Sequence, residues 1–236
     1  MLTMRDHDVE DYTVLADMDA TDVGVLSAED QACLDEIGQY LVATDTWQRF
    51  AIWLLHKHFE PAPGEVFVEA AVHAPRGTRT TPRGRAAVAA VQPTSVRFDT
   101  AGVVGMEFAD PGDFGDTDPF GDQDATVLAG IAERLGTHGK IDRFGVRLIR
   151  NPLGLTDAEV LHETCDTSHR TLNCTVGNRE ELLTEHHAVQ TAWRWKLIHG
   201  TTTPTVMQEC QATCHSAGEG HDLAHDSIRD DEFGND

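Results

Sequence analysis

Arg49-Phe50-Ala51-Ile52-Trp53-Leu54-Leu55 returns 94 positions later as Arg143-Phe144-Gly145-Val146-Arg147-Leu148-Ile149, and that recurrence decides how the chain is read. Both stretches are dense apolar runs of strand length. The same shift, without a gap, lays Leu34, Ile37 and Leu41 on Leu128, Ile131 and Leu135, an apolar stripe at helical spacing. It also lays Glu65, Val66 and Glu69 on Glu159, Val160 and Glu163. Val96-Arg97-Phe98 and Trp193-Arg194-Trp195 form a further near match at a shift of 97. Any α+β chain alternates helices and strands, but a generic alternation rarely keeps helix, strand and loop in one register. The expected fold is α+β: a tandem duplication of a helix-plus-antiparallel-strands module, pseudo-twofold, with a Cys/His-rich C-terminal tail.

Working outward from the two runs sets the boundaries. Residues 1–26 read as an acidic leader, with Tyr12-Thr13-Val14-Leu15 as a short strand or part of a disordered segment. Residues 27–108 form the first module, 109–124 an Asp-, Gly- and Pro-rich linker, 125–200 the second module and 201–236 the tail. The two modules are expected to share one compact domain. Ser27 is placed to cap a helix, with Glu29 and Asp30 in its first turn and Cys33, Leu34, Ile37, Tyr40 and Leu41 along one side. That helix should end near Thr44. Strands are expected at 49–55, from Glu65 to Glu69, and at 86–91, 94–98 and 102–108. Residues 75–85, rich in Arg, Thr, Gly and Pro, read as a loop.

With 40% hydrophobic residues over 236 positions, the chain has enough apolar matter for an ordinary core. Its formal charge of -22 disfavours nucleic acid and anionic membrane as partners, since both repel it. Lysine occurs only at Lys57, Lys140 and Lys196 in an Asp-rich chain, a composition that suits concentrated salt, where charge repulsion is screened. No apolar run approaches the ~20 residues that span a bilayer. The acidic, polar start is not a secretory signal, so the expected setting is soluble and cytoplasmic. Cys33, Cys165, Cys174, Cys210 and Cys214 are odd in number and do not suggest a disulfide framework.

Two groups of residues have metal-ligand character. His56-Lys57-His58 puts two imidazoles on one face of a strand, with Glu65 or Glu69 available as third ligand. Two histidines and a carboxylate suit iron(II). Their counterparts in the second half are Arg150 and Pro152, so the pair belongs to one half only. A polar strand end at the surface is the competing reading. In the tail, Cys210, Cys214, His215, His221 and His225 have end spacings that suit tetrahedral zinc, or copper(I), in a compact knuckle. A flexible acidic tail is the alternative there.

Glu69 and Glu163 are counterparts in the repeat. Meeting near the axis, they would be candidate catalytic acids. The ordinary exposure of glutamate instead favours solvated positions on an outer face. Cys165 and His169 are a nucleophile–base candidate, while Cys174, in an expected strand over Thr171–Val176, reads as buried. Trp193 and Trp195 read as core residues. No phosphate loop, dinucleotide fingerprint or nucleophile elbow is present.

The leading expectation is a soluble protein holding a transition metal (zinc, iron or copper), with oxidoreductase chemistry favoured over hydrolysis. Its partner would be a small-molecule substrate or another protein. The alternatives are a non-catalytic interaction or regulatory protein with a structural zinc knuckle, and a metal-free enzyme with a carboxylate or cysteine site between the modules.

Overall fold

The computed structural model describes residues 2–17, 24–100, 102–184, 188–198 and 205–215. In chain order the elements are β1 (Met4–Asp6), α1 (Val9–Thr13), β2 (Ala16–Asp17), α2 (Ala28–Ala43), β3 (Phe50–Leu54), β4 (His56–Lys57), β5 (Glu65–His73), β6 (Arg76–Gly84), β7 (Gln92–Asp99) and β8 (Gly102–Ala109). Then follow α3 (Ala125–Thr137), β9 (Phe144–Leu148), β10 (Glu159–Asp166), β11 (Thr171–Asn178), α4 (Arg179–Thr184), β12 (Ala188–Ile198) and β13 (Thr205–His215). The chain is α+β, built on a large curled mixed sheet. No described helix is long and apolar enough to cross a membrane.

The large sheet runs β1-β8-β5-β6-β11-β10-β13-β12-β3-β9-β7, and β7 pairs again with β8. Ten strands therefore close into a ring, and β1 adds to β8 in parallel. Closure leaves few unpaired strand edges. The two halves alternate around this ring, and exchanging them leaves the pairing pattern unchanged. The registers carry the same relation. Ile52 sits opposite Val146 and Arg79 opposite Asn173, so both antiparallel contacts between counterpart strands centre on residues 94 apart.

The helix starts follow the same rule. Ser27 and Asp30 form a capping box at the head of α2, and Asp124 accepts from the Gly121 backbone N–H ahead of α3. Each capping Asp is held by the arginine that leads the other half's apolar run. Arg49 Nε lies 2.8 Å from Asp124, and Arg143 Nε lies 3.1 Å from Asp30.

The sheet has two unlike faces. Phe50, Ile52 and Leu54 of β3 alternate with Ala51 and Trp53, as strand geometry requires. The first set packs with Phe144, Val146, Leu148 and the stripes of α2 and α3 into the main apolar core. Trp193 and Trp195 are buried in that core, as their sequence pattern suggests. Gly38 permits a close approach: a Cβ there would lie 2.1 Å from the Trp195 indole nitrogen. The opposite face turns into the ring. Arg147 of β9 reaches Glu69 of β5 and Glu163 of β10, neither of which neighbours β9, so these side chains meet across the interior.

Several expectations are corrected. Residues 76–84 form β6, not a loop: Thr78 and Thr80 point inward while Arg79 and Arg83 point out, so a strand facing a polar interior shows no apolar alternation. Tyr12 lies in α1, capped by Asp8, rather than in a strand. Tyr12 and Leu15 are buried, and the first residues contribute β1 to the sheet. Residues 86–91 contain a 3-10 turn over Arg85–Ala87, and the next strand begins at Gln92. Thr205–His215 is a strand of the ring, at the start of the stretch whose sequence reads as a tail.

Candidate metal site inside the ring

β3 ends at Leu54, and the chain turns through Leu55 into the two-residue strand β4, which pairs with β2. That turn carries both histidines inward. His56 Nδ1 lies 2.8 Å from the Leu54 carbonyl, a contact that places the proton on Nδ1 and leaves Nε2 as the lone-pair nitrogen. His56 Nε2 and His58 Nε2 face one another at 3.0 Å. An ion binding two imidazoles at about 2.0–2.1 Å would set the nitrogens about 2.9 Å apart at a right angle and about 3.3 Å apart at the tetrahedral angle. The observed separation falls in that interval.

The third member is Glu163 of β10. One ligand atom from each of His56, His58 and Glu163 lies within 4.8 Å of the others. The sequence reading names Glu65 or Glu69 as third ligand, and the structure assigns both elsewhere. Glu65 pairs with Arg170 at 2.6 Å and accepts from the Ala62 backbone N–H. Glu69 is held by Arg147 at 3.0 Å and Arg150 at 2.8 Å. Lys57, between the histidines, points away and pairs with Glu60 at 2.8 Å.

The preference for solvated outer-face positions at Glu69 and Glu163 is overturned, because both are buried among the ring's interior charges. Their environments push them apart. Burial raises the pKa of a carboxyl, but Arg150 and Arg147 outweigh it at Glu69 and hold that group below the ordinary range. At Glu163 burial dominates over Arg147 and the Thr191 hydroxyl, which donates at 2.9 Å, and the pKa is raised. Glu107 behaves likewise, with burial dominating over Arg147. The Arg147 guanidinium is opposed by burial but held firmly protonated by Glu107, Glu69 and Glu163.

A small cavity adjoins the histidines, lined by Tyr12, Trp53, His56, His58, Phe59, Phe67, Thr80, Glu107, Glu163 and Leu172. A second, also small, is lined by Glu69, Thr78, Arg147, Arg150, Pro152, Leu153 and Leu161, among others. These seven are the residues 94 positions from Glu163, Leu172, Trp53, His56, His58, Phe59 and Phe67. The two cavities thus occupy matching places in the two halves. In the second, the Arg150 guanidinium, standing at the His56 position, binds Glu69, the counterpart of Glu163.

The remaining candidates are not drawn into the site. His169 is exposed at the β10–β11 turn, where its Nδ1 lies 2.7 Å from Asp166 and 3.0 Å from Ser168. Cys174 is buried, and burial holds its thiol well above the ordinary range, as suits an inert core residue. Cys210, Cys214 and His215 belong to β13, where their side chains are not described, and His221 and His225 lie outside the described residues. Residues four apart on a strand stand about 13 Å apart. A single ion closing on both Cys210 and Cys214 would therefore require β13 to bend.

Sequence reasoning missed Glu107, Arg147 and the aromatic walls. Arg147 did carry a signal, as a charge at the centre of an apolar run. The chain matches no family model, no curated protein and no solved structure, so the site is read from its own geometry.

Proposed function

We propose that this protein holds one divalent transition-metal ion through His56 Nε2, His58 Nε2 and the Glu163 carboxylate, and uses it on a small molecule in the adjoining cavity. The observation that carries the reading is the convergence of these three side chains, from opposite halves of the chain, on one point in the ring. Two imidazoles and one carboxylate leave coordination positions open, the donor set of iron(II) oxygen chemistry, and an oxidoreductase is the favoured activity. The ion supplies a Lewis acid and a place for a small ligand; the chain orients the imidazoles, excludes bulk water and keeps Glu163 ionised once a cation is bound.

The matching cavity supports this reading independently. There Arg150 places a fixed positive charge against Glu69. The histidine cavity has no arginine or lysine in its lining, so an exogenous cation would take the corresponding role beside Glu163. We read the halves as copies of one ancestral module. The 94-residue registers, the exchanged Arg–Asp pairs at the helix starts and the matching cavities support that descent.

Metal analysis of protein purified without a histidine tag tests the function. One equivalent of iron or zinc per chain is expected, lost in His56→Ala and His58→Ala and weakened in Glu163→Gln. An absence of stoichiometric metal, or metal that survives both histidine substitutions, overturns the reading.

A further inference from the structure

The cavity beside His56 and His58 has a volume of about 30 Å³. A single water needs about 10–15 Å³, and a dry cavity that takes benzene measures about 150 Å³. The space therefore holds about two water-sized atoms, and an organic ring is too large for it. An ion seated against the imidazoles takes part of that space and leaves room for one small ligand. Of the described residues that line the cavity, all but His58 and Phe59 are buried, so these two mark its mouth. The Phe59 ring meets Phe67 edge-on at 5.1 Å, and Phe67 meets Tyr12 in the same way at 4.8 Å, so the walls are held by rings packed on one another.

The lining also says what kind of small ligand fits. Tyr12 donates its hydroxyl to the Met106 carbonyl at 3.0 Å, and the Trp53 indole N–H donates to the Val96 carbonyl at 3.4 Å. With their polar ends tied, these rings join Phe59, Phe67 and Leu172 as apolar walls. A buried water needs several polar partners, whereas a neutral diatomic molecule needs none and enters an apolar space readily. Beyond the three proposed ligands and the tied rings, the polar lining residues are Thr80 and Glu107. Burial raises the pKa of Glu107, so its carboxyl does not oppose a ligand that takes on electron density from the ion.

Resting on the metal site proposed above, we infer that the molecule taken up at the ion's open position is diatomic, of the class of dioxygen and nitric oxide, and that Phe59 at the mouth keeps larger ligands off the ion.

The test uses iron(II)-loaded protein prepared without oxygen, titrated with nitric oxide alone and in competition with imidazole. Nitric oxide should bind at one equivalent per iron, read from the paramagnetic resonance signal of nitrosylated iron. Imidazole in large excess should leave that titration unchanged in the wild type. In Phe59→Ala the mouth is widened, and imidazole at about ten times its dissociation constant should lower the apparent nitric oxide affinity about tenfold by mass action. The exclusion of imidazole from the wild type stands as a test should Phe59→Ala fail to fold. Nitric oxide that does not bind, imidazole that competes in the wild type, or imidazole that is still shut out of a folded Phe59→Ala overturns the inference. Iron content is measured separately on the same samples. Failure to take up iron overturns the metal site and this inference with it, whereas normal uptake with the wrong selectivity overturns this inference alone.

Discussion

Replacing Arg147 with Met removes the guanidinium on which the interior of the ring depends. Arg147 Nη2 lies 3.0 Å from Glu69 and 3.5 Å from Glu107, and Nη1 lies 3.9 Å from Glu163. At an effective dielectric of about 20, a unit charge pair 3.0 Å apart attracts by about 5–6 kcal/mol. Desolvation offsets part of this, and cutting one partner from a buried pair costs about 3–5 kcal/mol. Arg150 still holds Glu69 at 2.8 Å, so the lower end, about 3 kcal/mol, is expected near pH 5. The loss should grow at higher pH. Without Arg147, burial pushes Glu107 and Glu163 further up, so the folded chain keeps protons that the unfolded chain releases above about pH 4.3. Wild type shares that loss up to its own raised folded values, and from there stability of the variant falls relative to wild type until pH passes the variant's still higher ones. Near pH 8 the deficit should approach about 5 kcal/mol. Urea unfolding in the presence of a chelator, followed by circular dichroism at pH 5 and pH 8, measures both values. A variant within about 1 kcal/mol of wild type at pH 8, or a deficit that narrows as pH rises, would refute the reasoning.

Saturating metal, at about a hundred times its dissociation constant, should stabilise the chain by about 2.7 kcal/mol, and the gain should vanish in His56→Ala; thermal unfolding with and without the ion measures it. The double substitution Arg150→His, Pro152→His should raise metal content from one to two equivalents per chain, because it rebuilds the histidine pair beside Glu69; a value that stays at one shows that the two cavities are not interchangeable. Gly38→Ala should destabilise by about 1–3 kcal/mol despite its better helix propensity, because the added methyl meets the Trp195 indole; a stabilised variant in urea unfolding would contradict the packing of α2. His7 is buried between Tyr12 and Phe67, and burial lowers its pKa despite its bond to the Gly105 carbonyl. The unfolded chain takes up that proton first, so the contribution of His7 is complete above about pH 6.5 and is lost as pH falls through the folded value. His7→Gln should flatten the fall in stability below pH 6.5, and an unchanged slope would assign it to other groups.

What the sequence disclosed follows from which face of the ring a residue serves. The stripes of α2 and α3 and the paired runs of β3 and β9 stand out because they fill an apolar core, where periodicity reports burial directly. β6 and the two buried glutamates escape the same test because the other face encloses charge. Thr78, Thr80, Glu69 and Glu163 are inward residues with the composition of outward ones, so a pattern that equates polar with exposed assigns them to solvent. The third member of the candidate site is hidden for a different reason. Glu163 joins His56 only because strands from the two halves alternate around the ring, and nothing local to either stretch announces that meeting. The sequence does contain the clue that the two cavities differ, since His56 and His58 stand where the other half has Arg150 and Pro152. The structure supplies its meaning. At Glu69 a covalently attached cation occupies the place of the histidine, and at Glu163 two imidazole nitrogens face each other 3.0 Å apart beside a carboxyl that burial drives toward neutrality. A divalent ion bound between the imidazoles would offset the burial of that carboxyl, which Arg147 at 3.9 Å offsets only in part.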